Sequence, residues 1–173
     1  MRETFQIRAA RLEDCERLAE MFHALWPTGS VEEHGKELRS LVDGTARLTM
    51  PIAVLVAEAQ SDGLVGFVEV DLRSHADGCD PAQAVGYVEG WYVAEEYRRS
   101  GVGARLIAAA EEWARGFGCV EMGSDAVIEN EVSLRAHAAL GYEVVDRCVH
   151  FRKSLQPVKF ANSGGSGRVH STR

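Results

Sequence analysis

Apolar positions recur along this chain at spacings that predict alternating strands and helices. The predicted strands cover residues 4–9, 52–59, 64–71, 84–93, 119–124 and 142–152. The predicted helices cover residues 15–25, 31–42, 103–117 and 131–140. The helix at 103–117 is the clearest, because Leu106, Ala110 and Trp113 form an apolar stripe on one of its faces. The predicted order is β-α-α-β-β-β-α-β-α-β.

Two features of this order predict a mixed sheet. Ser61-Asp62-Gly63 is a hairpin signal, which makes the strands on either side of it antiparallel. A helix separates the strands at 84–93 and 119–124, which makes those two parallel. The fold class is therefore α/β (α+β), a mixed, mostly antiparallel central sheet flanked by helices. Residues 1–155 form the predicted domain, and the Gly/Ser-rich residues 156–173 are expected to be a flexible tail, either native or left by cloning.

Composition narrows the classes of partner. Lys plus Arg number 19 and Asp plus Glu number 26, and the resulting formal charge of −7 argues against a nucleic-acid partner. No segment has the apolar length of a membrane span, and the N-terminus lacks the apolar core of a signal peptide, so we expect a cytoplasmic protein without a membrane partner. The four cysteines form neither a CxxC pair nor a zinc-like cluster, so no metal site is expected.

The most informative stretch is Tyr97-Arg98-Arg99-Ser100-Gly101-Val102-Gly103-Ala104, which follows a strong strand and opens the clearest helix. Its two glycines let the backbone approach a ligand closely, and the amides at a helix start favour an anion. Its two arginines add positive charge. The pattern indicates a pyrophosphate site, although a helix start without a ligand can have the same glycines. Ile107 stands where a dinucleotide-binding fingerprint has its third glycine, and no Walker GK[ST] follows.

In this context Arg98-x-x-Gly101-x-Gly103 resembles the acyl-CoA motif Q/R-x-x-G-x-G/A of the GNAT superfamily of N-acetyltransferases, and the resemblance spans residues 5–153. It implies the GNAT fold, in which a central pair of parallel strands splays apart and binds acetyl-CoA in the gap. It also implies a homodimer. The cofactor contacts that it implies lie along the thioester, the pantetheine arm and the pyrophosphate: Trp91, Tyr92, Val93, Arg98, Arg99, Ser100, Gly101, Val102, Gly103, Ala104 and Asn130.

A narrower resemblance is carried by several short matches in the right order. They are Leu25-Trp26-Pro27, Gly78-Cys79-Asp80, Val88-Glu89-Gly90, Ser124-Asp125, Glu129-Asn130 and Leu140-Gly141-Tyr142. Together they look like the aminoglycoside 6'-N-acetyltransferases, which implies acetyl transfer to the 6'-amine of an aminoglycoside antibiotic and resistance to it. Carried over position by position, Trp26 and His75 would line the sugar site. Glu89, Asp125 and Asp146 would supply its carboxylates.

Acetyl transfer requires a neutral amine, a donor for the carbonyl oxygen and a proton for the leaving thiolate. Glu89 lies in an apolar strand beside the expected thioester, where an acid is costly without a partner, and it is the favoured base. Its alternative is a surface-facing strand acid. Strict alternation would place Glu89 on the face of Tyr87 and Trp91, and a bulge would change that. Asp125 ends a parallel strand, where open sheets bind ligands, and is either a substrate carboxylate or a catalytic base acting through water; its alternatives are an N-cap and a loop acid.

The remaining candidates also have structural alternatives. Trp26 either stacks on a sugar ring or packs in the core, and His75 either contacts substrate or is a solvated loop residue. Asp146 depends on the resemblance more than on its position. His137 stands where many GNAT enzymes have a tyrosine that protonates the thiolate. A histidine can donate a proton near neutrality, or it can simply pack in its helix.

Three functions are compatible with these residues. The first, which the short matches favour, is an aminoglycoside 6'-N-acetyltransferase. The second is a GNAT enzyme for another amine, such as a protein N-terminus or a polyamine, and it should have a peptide groove in place of an acidic pocket. The third is a non-catalytic acyl-CoA-binding module, against which the intact loop argues.

Overall fold

A computed structural model describes residues 4–155. The five strands are β1 (Phe5–Ala9), β2 (Ile52–Ala59), β3 (Gly63–Arg73), β4 (Val85–Val93) and β5 (Met122–Ser124). The four α-helices are α1 (Cys15–Leu25), α2 (Val31–Val42), α3 (Val102–Gly116) and α4 (Glu131–Ala139). Short 3-10 turns at 12–14 and 95–97 precede α1 and α3. Most predicted elements are confirmed to within two residues.

The strands form one sheet in the order β1-β2-β3-β4-β5. Every neighbouring pair is antiparallel except β4 and β5, which are parallel. This confirms the predicted mixed, mostly antiparallel sheet. The parallel pairing covers only three residue pairs and ends at Val88 opposite Ser124. The last part of β4, residues 89–93, therefore lies beyond its pairing with β5 and leaves an opening between the two strands.

Side chains of β3 alternate between two cores on opposite faces of the sheet. On one face, Phe67 packs with Leu18 and Phe22 of α1, with the rings of Phe22 and Phe67 stacked 4.3 Å apart. On the other face, Val68 packs in a cluster with Leu106 of α3. The helices α1 and α3 thus cover opposite faces of the sheet.

A buried ion-pair network fixes the start of α1 to the edge of the sheet. Arg8 of β1 donates two hydrogen bonds to the carboxylate of Asp14, at 2.6 and 2.9 Å, and a third, at 2.7 Å, to Glu58 of β2. The side chains of Arg8 and Asp14 are only 9% and 7% exposed. These hydrogen bonds hold the pKa of Asp14 below its usual value, because the guanidinium stabilises the carboxylate.

The predicted strand at 142–152 is wrong, because the structure has no regular element there. Residues 143–155 are exposed, including Val149 at 76% and Phe151 at 93%. A strand needs a hydrogen-bonded partner, and β5 is only three residues long, so this segment has no paired neighbour among residues 4–155. The predicted strand at 119–124 is likewise reduced to Met122–Ser124.

The predicted tail at 156–173 lies outside the described residues. Within residues 4–155, no helix combines the length and the apolar character needed to cross a membrane. The same residues contain no group of three or more His, Cys, Asp or Glu side chains that would hold a metal ion.

Candidate active site

A β-bulge at the middle of β4 sets the geometry of the site. Glu69 of β3 pairs with Gly90 and Val70 pairs with Val88, so Glu89 is the extra residue in β4. The bulge changes the parity of the strand between Tyr87 and Trp91. Tyr87 and Glu89 both contact Arg73 on the α1 face, whereas Trp91 packs with the α3 cluster on the other face.

Arg73, at the end of β3, lies at the centre of the polar groups on this face. Its Nε is 3.0 Å from Oε1 of Glu89, and its Nη2 donates to the same oxygen. The guanidinium carbon lies 3.4 Å from the centre of the Tyr87 ring. Oδ1 of Asp71 is 3.8 Å from Nε. The hydroxyl of Tyr87 in turn donates to Oδ1 of Asp125, at 3.1 Å.

Three groups around Arg73 resist ionisation. Burial, followed by the charges of Glu89 and Asp71, raises the pKa of Glu69 to about 7. Burial and Glu89 raise the pKa of Asp71 to about 6. Burial and the neighbouring Asp125 carboxylate raise the pKa of Tyr87 to about 12. Such shifts are expected where carboxylates crowd in a partly desolvated place, and they are common at functional sites.

A cleft of about 490 Å³ opens beside the cluster. One side is formed by residues 47–50 and the other by the end of β3, including Asp71 and Arg73. His75 also lines this cleft, and its Nδ1 lies 3.2 Å from the hydroxyl of Ser74. The end of β3 thus presents charged groups to an open space large enough for part of a small molecule.

Trp26 lies over the bulge and is also packed against the core. A side chain at Gly90 would come within 2.2 Å of the Trp26 ring, so the glycine makes this contact possible. The same ring meets Phe22 edge-on at 5.1 Å. Nε2 of His34 is 3.1 Å from the Trp26 carbonyl oxygen, which must accept the hydrogen bond. Both interpretations of Trp26 are therefore compatible with its position.

A second polar chain crosses the opening between β4 and β5. The hydroxyl of Ser124 lies 3.3 Å from the carbonyl oxygen of Val88, where the parallel pairing ends. Nε2 of His137 lies 2.9 Å from the same hydroxyl. Nδ1 of His137 is 2.9 Å from the carbonyl oxygen of Ser133, and the ring meets Trp91 edge-on at 5.7 Å. His137 is thus both packed and connected to the opening.

The loop before α3 has the backbone expected of an anion site. Arg99 and Gly101 have φ angles of 63° and 92°, both in the left-handed region. A side chain at Gly101 would enter open space, whereas one at Gly103 would come within 2.7 Å of the Trp91 ring. The two glycines therefore differ in role: the first serves the turn, and the second lets α3 approach the sheet. Nε of Arg98 donates to the carbonyl of Val93, at 3.0 Å.

Comparison with protein families gives a match to the Acetyltransferase (GNAT) family over residues 15–142. The chain belongs to this family. The superfamily resemblance found in the sequence is thereby confirmed, together with the fold that it implied.

Individual relatives of this GNAT acetyltransferase share one name. An aminoglycoside N(6')-acetyltransferase type 1 of Klebsiella aerogenes is 42% identical over 131 residues, which cover 76% of this chain and 84% of the relative. One of Stenotrophomonas maltophilia is 38% identical over 152 residues, covering 87% and 94%. The crystal structure of AAC(6')-Ih from Acinetobacter baumannii has a TM-score of 0.77 at 28% identity, covering 88% of this chain and 99% of that chain.

A further solved structure is AAC(6')-Iy in complex with the bisubstrate analogue CoA-S-monomethyl-acetylneamine. It has a TM-score of 0.73 at 31% identity, and the match covers 87% of this chain and 99% of that chain. The narrower resemblance to 6'-N-acetyltransferases is therefore confirmed as well.

Side-chain contacts in the acetyltransferase connect some of the predicted site residues with one another, and others have no such connection. Glu89 and Asp125 are joined through Arg73 and Tyr87. Asn130 caps α4, because its Oδ1 accepts from the backbone N–H of Ser133, at 3.1 Å. Asp146 lies on the exposed segment after α4.

Oδ1 of Asp146 accepts a local hydrogen bond from the backbone N–H of Arg147, at 2.6 Å. These bonds do not link Asp146 to the cleft. Its role, like that of Asn130, stays a prediction.

Sequence reasoning missed the polar groups of β3. Glu69, Asp71 and Arg73 alternate with the apolar Val70 and Leu72 in a strand that pairs on both sides. This period-2 row was a usable signal, because three charged side chains on one face of an internal strand need a partner or an open site.

Proposed function

We propose that this GNAT acetyltransferase transfers the acetyl group of acetyl-CoA to the 6'-amine of aminoglycoside antibiotics and so confers resistance to them. The support is the opening between β4 and β5, with the carboxylate of Glu89 beside it and those of Glu69 and Asp71 on the neighbouring strand, in a chain whose relatives carry that activity in their names. An aminoglycoside carries several ammonium groups, and carboxylates bind ammonium groups by short, charge-assisted hydrogen bonds.

The residues around the opening fit acetyl-CoA. The left-handed turns at Arg99 and Gly101 direct the loop into α3, and the open space at Gly101 leaves room for phosphates. The indole N–H of Trp91 is buried against Gly103 at the start of α3 and has no hydrogen-bond acceptor among residues 4–155. In this proposal the loop amides from Arg99 to Ala104 hold the pyrophosphate.

The backbone of residues 91–93 and the side chain of Asn130 hold the pantetheine arm in the same proposal. Bound acetyl-CoA supplies the thioester that the amine attacks. Residues 89–93 lie beyond the end of the parallel pairing, which supports this assignment.

Glu89 is the proposed base. Its bulge places it next to the end of the parallel pairing, and its carboxylate faces the cleft side of the sheet with Arg73. It can accept the proton that an ammonium group must lose before it attacks the thioester. Asp125 and Asp146 are proposed to bind further ammonium groups, and Trp26 and His75 to line the sugar site.

His137 is the proposed proton source for the leaving thiolate. It would act as the imidazolium, with Nδ1–H held by the Ser133 carbonyl oxygen: Nε2–H gives its proton to the hydroxyl of Ser124, which passes its own proton to the thiolate and leaves a neutral imidazole. Replacing His137 by Gln should lower kcat about 100- to 10,000-fold and leave KM for both substrates nearly unchanged, because only a proton transfer is lost. An unchanged kcat would remove His137 from the mechanism and leave it a packing residue.

Turnover with matched acceptors tests the function and its regiochemistry together. Kanamycin or tobramycin should release CoA thiol from acetyl-CoA, and an analogue with a hydroxyl in place of the 6'-amine should not. Equal turnover of the two would rule out the 6' position. If no aminoglycoside reacts and a polyamine or a peptide N-terminus does, the enzyme acts on another amine. Acetyl-CoA binding without any turnover would indicate a binding module.

Single neutral substitutions separate the roles of the two acids. Glu89→Gln and Asp125→Asn each remove a charged hydrogen bond, worth about 1.5–3 kcal/mol, so each should cost roughly 10- to 150-fold in kcat/KM. Substitution of the base should lower kcat and flatten the acidic limb of the pH–rate profile, whereas substitution of a residue that only binds substrate should raise KM. If both variants stay within about twofold of the parent, neither acid belongs to the site.

We also infer a cytoplasmic homodimer without nucleic-acid or membrane partners. The charge of −7 supports the absence of a nucleic-acid partner. Exposed apolar residues after α4, among them Val149, Phe151 and Leu155, support a second copy as their cover. Light scattering should give about twice the chain mass of 18.9 kDa. A monomer across the micromolar range would contradict this assembly.

A further inference from the structure

Arg73 occupies a small enclosure that has the chemistry of a cation-binding site. The face of the Tyr87 ring lies 3.4 Å below its guanidinium carbon. The carboxylate of Glu89 accepts two of its N–H groups, and Oδ1 of Asp71 lies 3.8 Å from its Nε. An aromatic face and two carboxylates are the groups that attract organic ammonium ions from solution. The enzyme's own guanidinium fills this place in the structure.

The surrounding charges explain why a cation is needed there. Glu69 also faces Glu89 and Asp71, and Asp125 accepts the hydroxyl of Tyr87 beneath the guanidinium. The guanidinium is therefore the counter-ion of Glu89 and Asp71 in a place where further carboxylates lie close by. The Arg73 side chain is 38% exposed and lines the cleft, so it can move into solvent without disturbing the core.

We propose that Arg73 is an internal counter-cation that a substrate ammonium group replaces, so that Arg73 determines which acceptors bind. This inference rests on the proposed function. An acceptor with one ammonium group must compete with a tethered guanidinium and gains little. An acceptor with several ammonium groups gains from its other contacts, so it can displace Arg73 at the same site. Arg73 thus excludes amines of low charge by occupying the site that their ammonium group would need. Specificity of this kind comes from disfavouring the wrong ligand.

Affinity measurements with a neutral side chain of similar length test the competition. Arg73→Met should bind tobramycin about 10-fold more tightly than the parent in calorimetry without acetyl-CoA. It should bind a sugar with a single amine more tightly by a larger factor. The matched control is Arg135→Met, because Arg135 is 70% exposed on α4 and its loss changes the net charge equally. The control should stay within twofold for both ligands.

The opposite sign in these measurements would overturn the inference. If Arg73→Met binds the polycation as weakly as the parent or more weakly, while acetyl-CoA affinity and Tm stay those of the parent, Arg73 supports binding and does not compete with it. Failure of the proposed function is a separate result, in which the parent itself neither binds nor acetylates an aminoglycoside.

A second variant tests the enclosure without any aminoglycoside. Arg73→Ala empties it, so ethylguanidinium at millimolar concentration should bind there and raise Tm. At ten times its Kd the rise should be about 3–5 °C. Neutral ethylurea should have no such effect, nor should ethylguanidinium on the parent or on Arg135→Ala. Absence of a selective rise in Arg73→Ala would mean that the enclosure does not bind cations and would overturn the inference.

Discussion

Gly101 offers the sharpest test of the pyrophosphate site, because its surroundings separate charge from shape. Its φ is 92°, and a side chain there would meet no atom within 4 Å. Asp and Asn have nearly the same size, and both tolerate the left-handed region better than most residues. Gly101→Asp and Gly101→Asn should therefore carry the same backbone strain, about 1 kcal/mol, and differ only in one negative charge.

The expected difference follows from Coulomb's law. A carboxylate about 5 Å from one phosphate charge is repelled by about 1 kcal/mol in bulk water and about 3 kcal/mol at the effective dielectric of a protein surface. A diphosphate doubles these values, so Gly101→Asp should bind acetyl-CoA at least about 30-fold more weakly than Gly101→Asn. This difference in affinity should shrink as salt is added. The Debye length, beyond which exposed charges are largely screened, falls from about 10 Å at 0.1 M to about 3 Å at 1 M.

Calorimetric titration with acetyl-CoA measures both affinities, and thermal unfolding checks that the two variants share one Tm. Equal dissociation constants for the Asp and Asn variants at low salt would refute the assignment of the pyrophosphate to this loop. A loss shared equally by both variants would point instead to backbone strain.

Three other predictions concern stability and substrate binding. Asp14→Asn should lower the free energy of unfolding by about 1.5–3 kcal/mol in urea titrations, because it removes one of the two carboxylates that pair with the buried Arg8 and leaves Glu58 as the other. The pKa of Asp14 is lowered in the fold, so the extra free energy of unfolding of the parent should be present above the ordinary pKa of Asp. It should vanish as the pH falls through the lowered value, and a pH-independent difference would contradict this. Glu69→Gln should instead stabilise the protein at neutral pH. The pKa of Glu69 is raised from 4.5 to about 7, so the parent loses at most about 3 kcal/mol of its free energy of unfolding as the pH rises between these values, and the variant does not. Parallel curves of stability against pH for parent and variant would disprove this. Gly90→Ala should raise KM for the aminoglycoside by displacing the Trp26 ring, with acetyl-CoA affinity unchanged in calorimetry; an unchanged KM would separate Trp26 from the sugar site.

The sequence by itself determined most of the fold, because the elements depend on local signals. The capping box of Ser30 and Glu33 begins α2 where the pattern predicts it, and the glycine-rich turn at Gly101 begins α3 within one residue of its predicted start. The loop motif and the short matches also predicted the family. Backbone turns and helix starts depend on a few neighbouring residues, so the local sequence pattern is enough to predict them.

Only the tertiary structure decided which side chains meet. The bulge at Glu89 depends on the register between β3 and β4, and it moves Trp91 to the opposite face from Tyr87. The same register brings Arg73 to Glu89 across sixteen residues of sequence. The segment after Gly141 shows the converse: its alternating pattern predicts a strand, but a strand forms only where another chain segment supplies the hydrogen bonds. Strand pairing depends on two segments together, so the hydrophobic pattern of one segment alone cannot determine it.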